Sequence, residues 1–212
     1  MKTVFWNVDT QYDFMRNDET HKGRLPVQDA REIEGNLEKL TRLAAREGLQ
    51  VVNTADWHVY GDVEINDDNP DFVNTFPMHC EAGTKGAQYI PATNPENPYV
   101  VDCRNPQYDL EKVKTARNLV LYKNKFDIFT GNPVADRVVD AVAPERVIVY
   151  GVATNVCNDF AVMGNVERGR EVYAVVDAMK ELPHLPLEVT LEKWKAAGVK
   201  FVKTDDVVKY LK

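Results

Sequence analysis

In this 212-residue sequence, side chains suited to acyl chemistry stand at the ends of apolar runs. Asp9 closes TVFWNVD, Asp56 closes LQVVNTAD, Lys123 closes NLVLYK, and Cys157 follows a short turn in VIVYGVATNVC. A thiol attacks an acyl carbon as its thiolate, and needs a partner that takes its proton and later returns it to a leaving amine. Asp9 is the candidate for that partner. A nearby ammonium favours the charged form of carboxylate and thiolate alike. Lys123 fits that role, although Lys125 would point to the same side of an extended segment. Cys157 falls where a helix should begin, so free N–H groups and the positive helix end favour its thiolate. The plainer alternatives are helix capping for the aspartates and a small buried apolar residue for a cysteine. The latter description fits Cys103, in VVDC.

A second group lies in DWH and, further on, FPMHC. Alternate residues of extended chain face the same way, so Asp56 and His58 can hold one cation together, with His79 arriving from the intervening loop. One carboxylate and two imidazoles suit a divalent ion, zinc first, with iron or manganese as alternatives. Glu64 is a candidate fourth ligand. Cys80, next to His79, is open to three readings: metal ligand, second reactive thiol, or packing. GTKGA matches neither a phosphate-binding loop nor a dinucleotide fingerprint and reads as turn chemistry, so no nucleotide cofactor is expected. His21 and His184 have no partner visible in the sequence.

The elements that must position these groups follow from periodicity. TVFWNVD, the helical pattern Ile33, Leu37, Leu40, Ala44 closed by Gly48, and LQVVNTAD read as strand, helix, strand. The alternation resumes with NLVLYK, NPVADRVVDAVA, RVIVYGVA, a helix from about Cys157, EVYAVVDA, LEVTLEKWKAAG, KFVKT and a terminal DDVVKYLK. Six strands alternating with helices predict an α/β fold, a three-layer, doubly wound and mostly parallel sheet. In such a sheet ligands bind beyond the carboxyl ends of the strands, where the winding reverses, which brings Asp9, Asp56, Lys123 and Cys157 to one crevice. Residues 57–117 are rich in Asn, Asp and Pro and read as a long irregular loop; ordering that much chain is costly unless it builds a site.

Length and a 44% hydrophobic content support one domain over residues 1–212. A net charge of -7, with both signs spread along the chain, leaves no basic stripe for nucleic acid. The start, MKTVFWNVDTQYDF, is too short in apolar run and too polar for a signal peptide or membrane span, which predicts a cytoplasmic protein without a membrane partner. Cys80, Cys103 and Cys157 are odd in number and widely separated, so no disulfide framework is expected.

Taken jointly, VDTQYDF, GRLPV, TADWH, FPMHCEAGTKGAQYIP, LYKNKFDIF, GVATNVC and VYAVVDA resemble the isochorismatase-like cysteine hydrolases, and among them most nearly the nicotinamidases, also called pyrazinamidases. The resemblance runs nearly end to end. It implies a triad of Asp9, Lys123 and Cys157, preferring Lys123 to Lys125, and a cis peptide between Val152 and Ala153. It further implies an oxyanion site at the N–H groups of Ala153 and Cys157, with the metal at Asp56, His58 and His79 holding a ring nitrogen. Phe14 and Phe76 fall where the family has aromatic walls, though either is also a reasonable core residue. The implied substrate is a small amide, nicotinamide first, and the implied assembly a small homo-oligomer. Phe76 replaces a tryptophan common in nicotinamidases, Glu64 falls near a common serine, and Asn155 replaces a frequent aspartate, as in branches with other substrates.

Overall fold

Strands covered on both faces need apolar residues at successive positions rather than alternate ones. In the computed structural model, which describes residues 1–211, β1 (Thr3–Val8) and β2 (Val51–Asp56) are buried at every position. Between them lie the one-turn helix α1 (Tyr12–Met15) and α2 (Glu34–Arg46). The chain continues through β3 (Tyr99–Val101), α3 (Leu110–Thr115), β4 (Asn118–Lys123), α4 (Ile128–Gly131), α5 (Ala135–Val142) and β5 (Arg146–Val152). It ends with α6 (Cys157–Glu167), β6 (Glu171–Lys180), α7 (Leu187–Ala196) and β7 (Lys200–Val202). The terminal DDVVKYLK forms 3-10 turns over Thr204–Tyr210, and its last residue lies outside the described residues.

All seven strands belong to one parallel sheet of order β3-β4-β2-β1-β5-β6-β7, flanked by helices. The expected six-stranded count is therefore corrected to seven. The added strand, β3, lies inside the stretch read as irregular, together with α3 and a 3-10 turn at Pro91–Thr93. Three residues at a sheet edge carry too little period-2 signal to be read. Tyr99–Val101 are extended because they pair with Leu119–Leu121 of β4.

The helices pack by the faces that periodicity marks. Leu37, Leu40 and Ala44 of α2 are completely buried, as are Val138, Val139 and Val142 of α5. Each such large side chain contributes roughly 1.5–3 kcal/mol by leaving water. Gly48, at φ +65°, ends the chain past α2 in the left-handed conformation that glycine supplies cheaply. Among the described residues no helix is long and apolar enough to cross a membrane.

The winding reverses at β1, whose neighbours are β2 and β5. Gly151 lets these strands approach: at φ +123°, a Cβ there would lie 2.1 Å from the carbonyl oxygen of Val8. The four adjacent strands β4-β2-β1-β5 thus end side by side, with Lys123 in register with Asp56 and Val8 in register with Thr54 and Gly151.

Candidate active site

Lys123 is the hub of the crevice. Its ammonium is 2.9 Å from Asp9 Oδ2, forms a short ion pair with Asp56 Oδ1, and lies 3.6 Å from Cys157 Sγ. All four groups are buried. Burial alone would lower the Lys123 pKa, but the facing charges of Asp56, Asp9 and Cys157 hold it well above its ordinary value. The side chain therefore stays an ammonium. Lys125, one pleat beyond, makes no ion pair among the described residues, because β4 ends at Lys123 and the chain turns.

Asp9 follows β1 at φ 49°, a left-handed conformation unfavourable for most residues that carry a Cβ. Its Oδ1 accepts a 2.6 Å hydrogen bond from the Thr54 hydroxyl, whereas Oδ2 faces the Lys123 ammonium at 2.9 Å. Burial, with the Asp56 charge added, raises the Asp9 pKa against Lys123 and Thr54. A base so raised is better matched to a thiol proton than a solvated aspartate. Cys157 begins α6, whose end has no side-chain cap. Burial lifts the Cys157 thiol well above its usual value, and Asp9 and Asp56 push the same way against Lys123. Desolvation and the two carboxylates thus oppose the thiolate that the helix start and Lys123 favour.

The Val152–Ala153 peptide is cis. Among the described residues, the N–H groups of Ala153 and Cys157 donate to no acceptor in a turn or loop. The Ala153 carbonyl is engaged, accepting from Val156 and Asn158 at 3.1 and 3.0 Å.

Beside this group, one oxygen or nitrogen from each of Asp56, His58 and His79 lies within 4.8 Å of the others. Asp56 Oδ2 is 3.9 Å from His58 Nε2 and 3.7 Å from His79 Nε2. The outer nitrogens are committed: His79 Nδ1 donates to the Pro77 carbonyl at 2.7 Å and His58 Nδ1 to Asp62 Oδ2 at 3.3 Å. Bare Nε2 lone pairs then face inward, the arrangement that outer partners impose on metal-binding histidines. His58 Nε2 is buried with no hydrogen-bond partner. A buried orphan acceptor beside a carboxylate and a second imidazole fits a divalent cation. Glu64 is not among the groups within 4.8 Å of one another, but its carboxyl feels the charges of Lys123, Asp56 and His58. Its Oε1 accepts from Phe126 N at 3.0 Å, Oε2 has no partner, and burial pushes its carboxyl up to about 7. Cys80 is fully buried, with its pKa raised well above normal by burial, and belongs to neither cluster. Cys103 is also a buried free thiol.

Cys157, Ala153 and His79 open on one narrow apolar cleft walled by Phe14, Phe76, Phe126, Leu25, Val27, Val156 and Leu182. Phe14 and Phe76 both belong to the buried core and line the cleft. Phe76 meets Phe126 edge-on, with ring centroids 5.7 Å apart.

A family model for the Isochorismatase domain matches residues 3–206. The chain belongs to the isochorismatase family. Isochorismatase-family folds are recognisable among solved structures at low identity. The pyrazinamidase of Pyrococcus horikoshii in complex with zinc is 25% identical, with TM-score 0.74 over 96% of this chain and 99% of that one. N-carbamoylsarcosine amidase from Thermoplasma acidophilum is 20% identical, with TM-score 0.73 over 97% and 98%. An isochorismatase-like hydrolase from Alkaliphilus metalliredigens is 20% identical, with TM-score 0.74 over the whole of both chains. Comparison with curated protein sequences gives no match.

Several positioning residues of this isochorismatase-family hydrolase escaped the sequence reading. Gln11 is buried and clamps Asp56: its amide donates to the Asp56 carbonyl at 2.7 Å while its oxygen accepts from Asp56 N at 2.8 Å. Thr54 shares a strand face with Asp56 by simple alternation, which was the signal available for it. Phe126 lies in LYKNKFDIF, where nothing local marks it as a wall. His21 has a partner after all, Asp13, and His184 Nε2 lies 2.9 Å from the Phe72 carbonyl oxygen. Asn155 ties the turn before α6 to the far wall, donating to the Leu182 and Leu185 carbonyls and accepting from Leu182 N.

Proposed function

We propose that this hydrolase is a metal-containing nicotinamidase, converting nicotinamide and water to nicotinate and ammonia through a thioester on Cys157. The observation that carries the reading is that the cation-ready cluster and the thiol open on one aromatic-walled cleft, His79 and Cys157 both lining it. Asp56, His58 and His79 would hold a divalent cation, zinc first, supplying a Lewis-acid site for a ring nitrogen.

The chain's own groups account for the chemistry. Asp9, whose Oδ2 faces the Lys123 ammonium at 2.9 Å, takes the Cys157 proton as Sγ attacks the carboxamide carbon. The carbonyl oxygen gains charge opposite the N–H groups of Ala153 and Cys157, donors free to stabilise it. Asp9 returns its proton to the amine, the C–N bond breaks, and ammonia leaves behind a thioester. Asp9 then deprotonates water, which attacks the thioester carbon; the C–S bond breaks, Cys157 regains a proton, and the acid departs. Throughout, Lys123 offsets the negative charge that moves between Asp9 and Cys157.

A second reading, hydrolysis of another small amide or ureide, draws on the comparable likeness to N-carbamoylsarcosine amidase and on Asn155. Among the described residues no Lys or Arg lines the cleft, which disfavours an anionic ureide. We further place the reaction in cytoplasmic pyridine-nucleotide salvage, carried out by a small homo-oligomer without nucleic-acid or membrane partners. The deciding experiment measures ammonia release from nicotinamide and from N-carbamoyl amino acids, by zinc-loaded and chelated protein. Turnover of nicotinamide lost on chelation supports the reading; turnover of a carbamoyl compound alone overturns it for the second.

A further inference from the structure

Asp13 is a buried carboxylate that the chemistry above does not use. Its Oδ2 accepts the Cys80 N–H at 2.8 Å, while Oδ1 is 2.9 Å from His21 Nε2 and accepts Arg24 N at 3.2 Å. Cys80 matters because backbone on both sides of it leads to the two histidines: its N–H lies in the peptide that follows His79, and its carbonyl, in the next peptide, meets His58. That carbonyl accepts the His58 N–H at 3.2 Å, after which Ala82 N returns to the His58 carbonyl at 2.9 Å. Cys80 sits at φ 43°, a left-handed conformation that a β-carbon resists, so something must hold this peptide in place. On its other side, Asp13 fixes residues 21–24, which lead into Leu25 and Val27 of the cleft wall, and Leu25 N donates to the Asp13 carbonyl at 3.3 Å. Gly86 makes room for the arrangement: a Cβ there would lie 2.2 Å from Asp13 Oδ2, the oxygen that holds Cys80.

We propose that Asp13 is a positioning residue that sets the spacing of the two histidines His58 and His79 through the Cys80 peptide and joins that spacing to the Leu25–Val27 wall. It touches neither substrate nor cation. The inference rests on Asp56, His58 and His79 as the metal holders, and deepens that reading by naming what aligns them.

The test is the zinc dissociation constant of the full-length protein, by competition with a chromogenic chelator, beside the thermal midpoint and the nicotinamide KM and kcat at saturating zinc. Asp13→Asn leaves one acceptor oxygen where the Cys80 and Arg24 N–H groups use two, and zinc affinity should fall roughly 10- to 100-fold, as loss of an outer partner of a metal ligand typically does. KM at saturating zinc should rise more than kcat falls. His21→Ala, which removes only the wall-side contact, should leave zinc affinity within about twofold. Gly86→Ala displaces Oδ2 without changing Asp13 itself, and should reproduce the zinc loss if Asp13→Asn does not fold. Wild-type zinc affinity in whichever of these two variants folds, with only a lower midpoint, overturns the proposal and leaves the metal reading standing. A wild-type protein that binds no zinc overturns both.

Discussion

Asp9, Asp56, Lys123 and Cys157 stand at or just beyond the carboxyl ends of β1, β2, β4 and β5, on backbone already aligned by ladder hydrogen bonds. His58, Glu64, Phe76 and His79 lie instead on residues 57–98, where side chains replace the ladder. Asp71 accepts the N–H groups of Val73, Asn74 and Thr75, Asp67 that of Met78, Asp62 that of Val59, and Asp13 that of Cys80. Those backbone bonds hold Asp71 well below the usual carboxylate range. Within the exposed acidic run INDDNPDF, Asp67 and Asp71 thus tie down backbone N–H groups of the loop. One half of the site inherits its precision from the sheet, and the other builds it from carboxylates.

The sharpest way to separate the halves is to remove one reacting group from each. Cys157→Ala should abolish ammonia release, by on the order of 10⁴-fold or more, with the far-ultraviolet circular dichroism unchanged. Full hydrolysis by that variant would sink the nucleophile assignment and turn attention to Cys80. Asp9→Asn should cost roughly 10²- to 10⁴-fold, the range of a lost general base. On the loop side, His79→Ala should lower zinc affinity by at least the roughly 10- to 100-fold that loss of an outer partner costs. Its effect on nicotinamide should enter chiefly through KM. Equal damage to kcat and KM would mean that the two halves do not divide the work in this way.

Smaller effects sharpen the contrast. Glu64 is raised to about 7 from a reference of 4.5, so between those values the folded protein keeps a proton that the unfolded chain has released. Stability should therefore fall as pH rises through that window. In metal-stripped protein, the unfolding midpoint should decline from about pH 4.5 to 7 and flatten in Glu64→Gln. A midpoint that rises across the window in wild type contradicts the buried environment assigned to Glu64. Least of all, Phe76→Leu should raise the nicotinamide KM roughly 2- to 10-fold, the worth of one aromatic contact. An unchanged KM would return Phe76 to the core alone.

Periodicity determined the order of strands and helices, the carboxyl-end positions of Asp9, Asp56 and Lys123, and the helix start at Cys157. Those features are local, since an apolar run marks its own ends and a period of 3.6 marks its own face. Motif order also carried the family likeness, because it is written along the chain. What the fold alone decided depends on residues far apart in sequence. β3 exists because β4 pairs with it. Lys123, already preferred to Lys125 by the family likeness, meets two carboxylates because β4 ends beside β2. The Cys157 thiol is pushed up because desolvation is a property of the closed crevice, not of a helix start. Asp13 in QYDF is one more acidic residue until the fold brings Cys80, sixty-seven positions away, to its carboxylate.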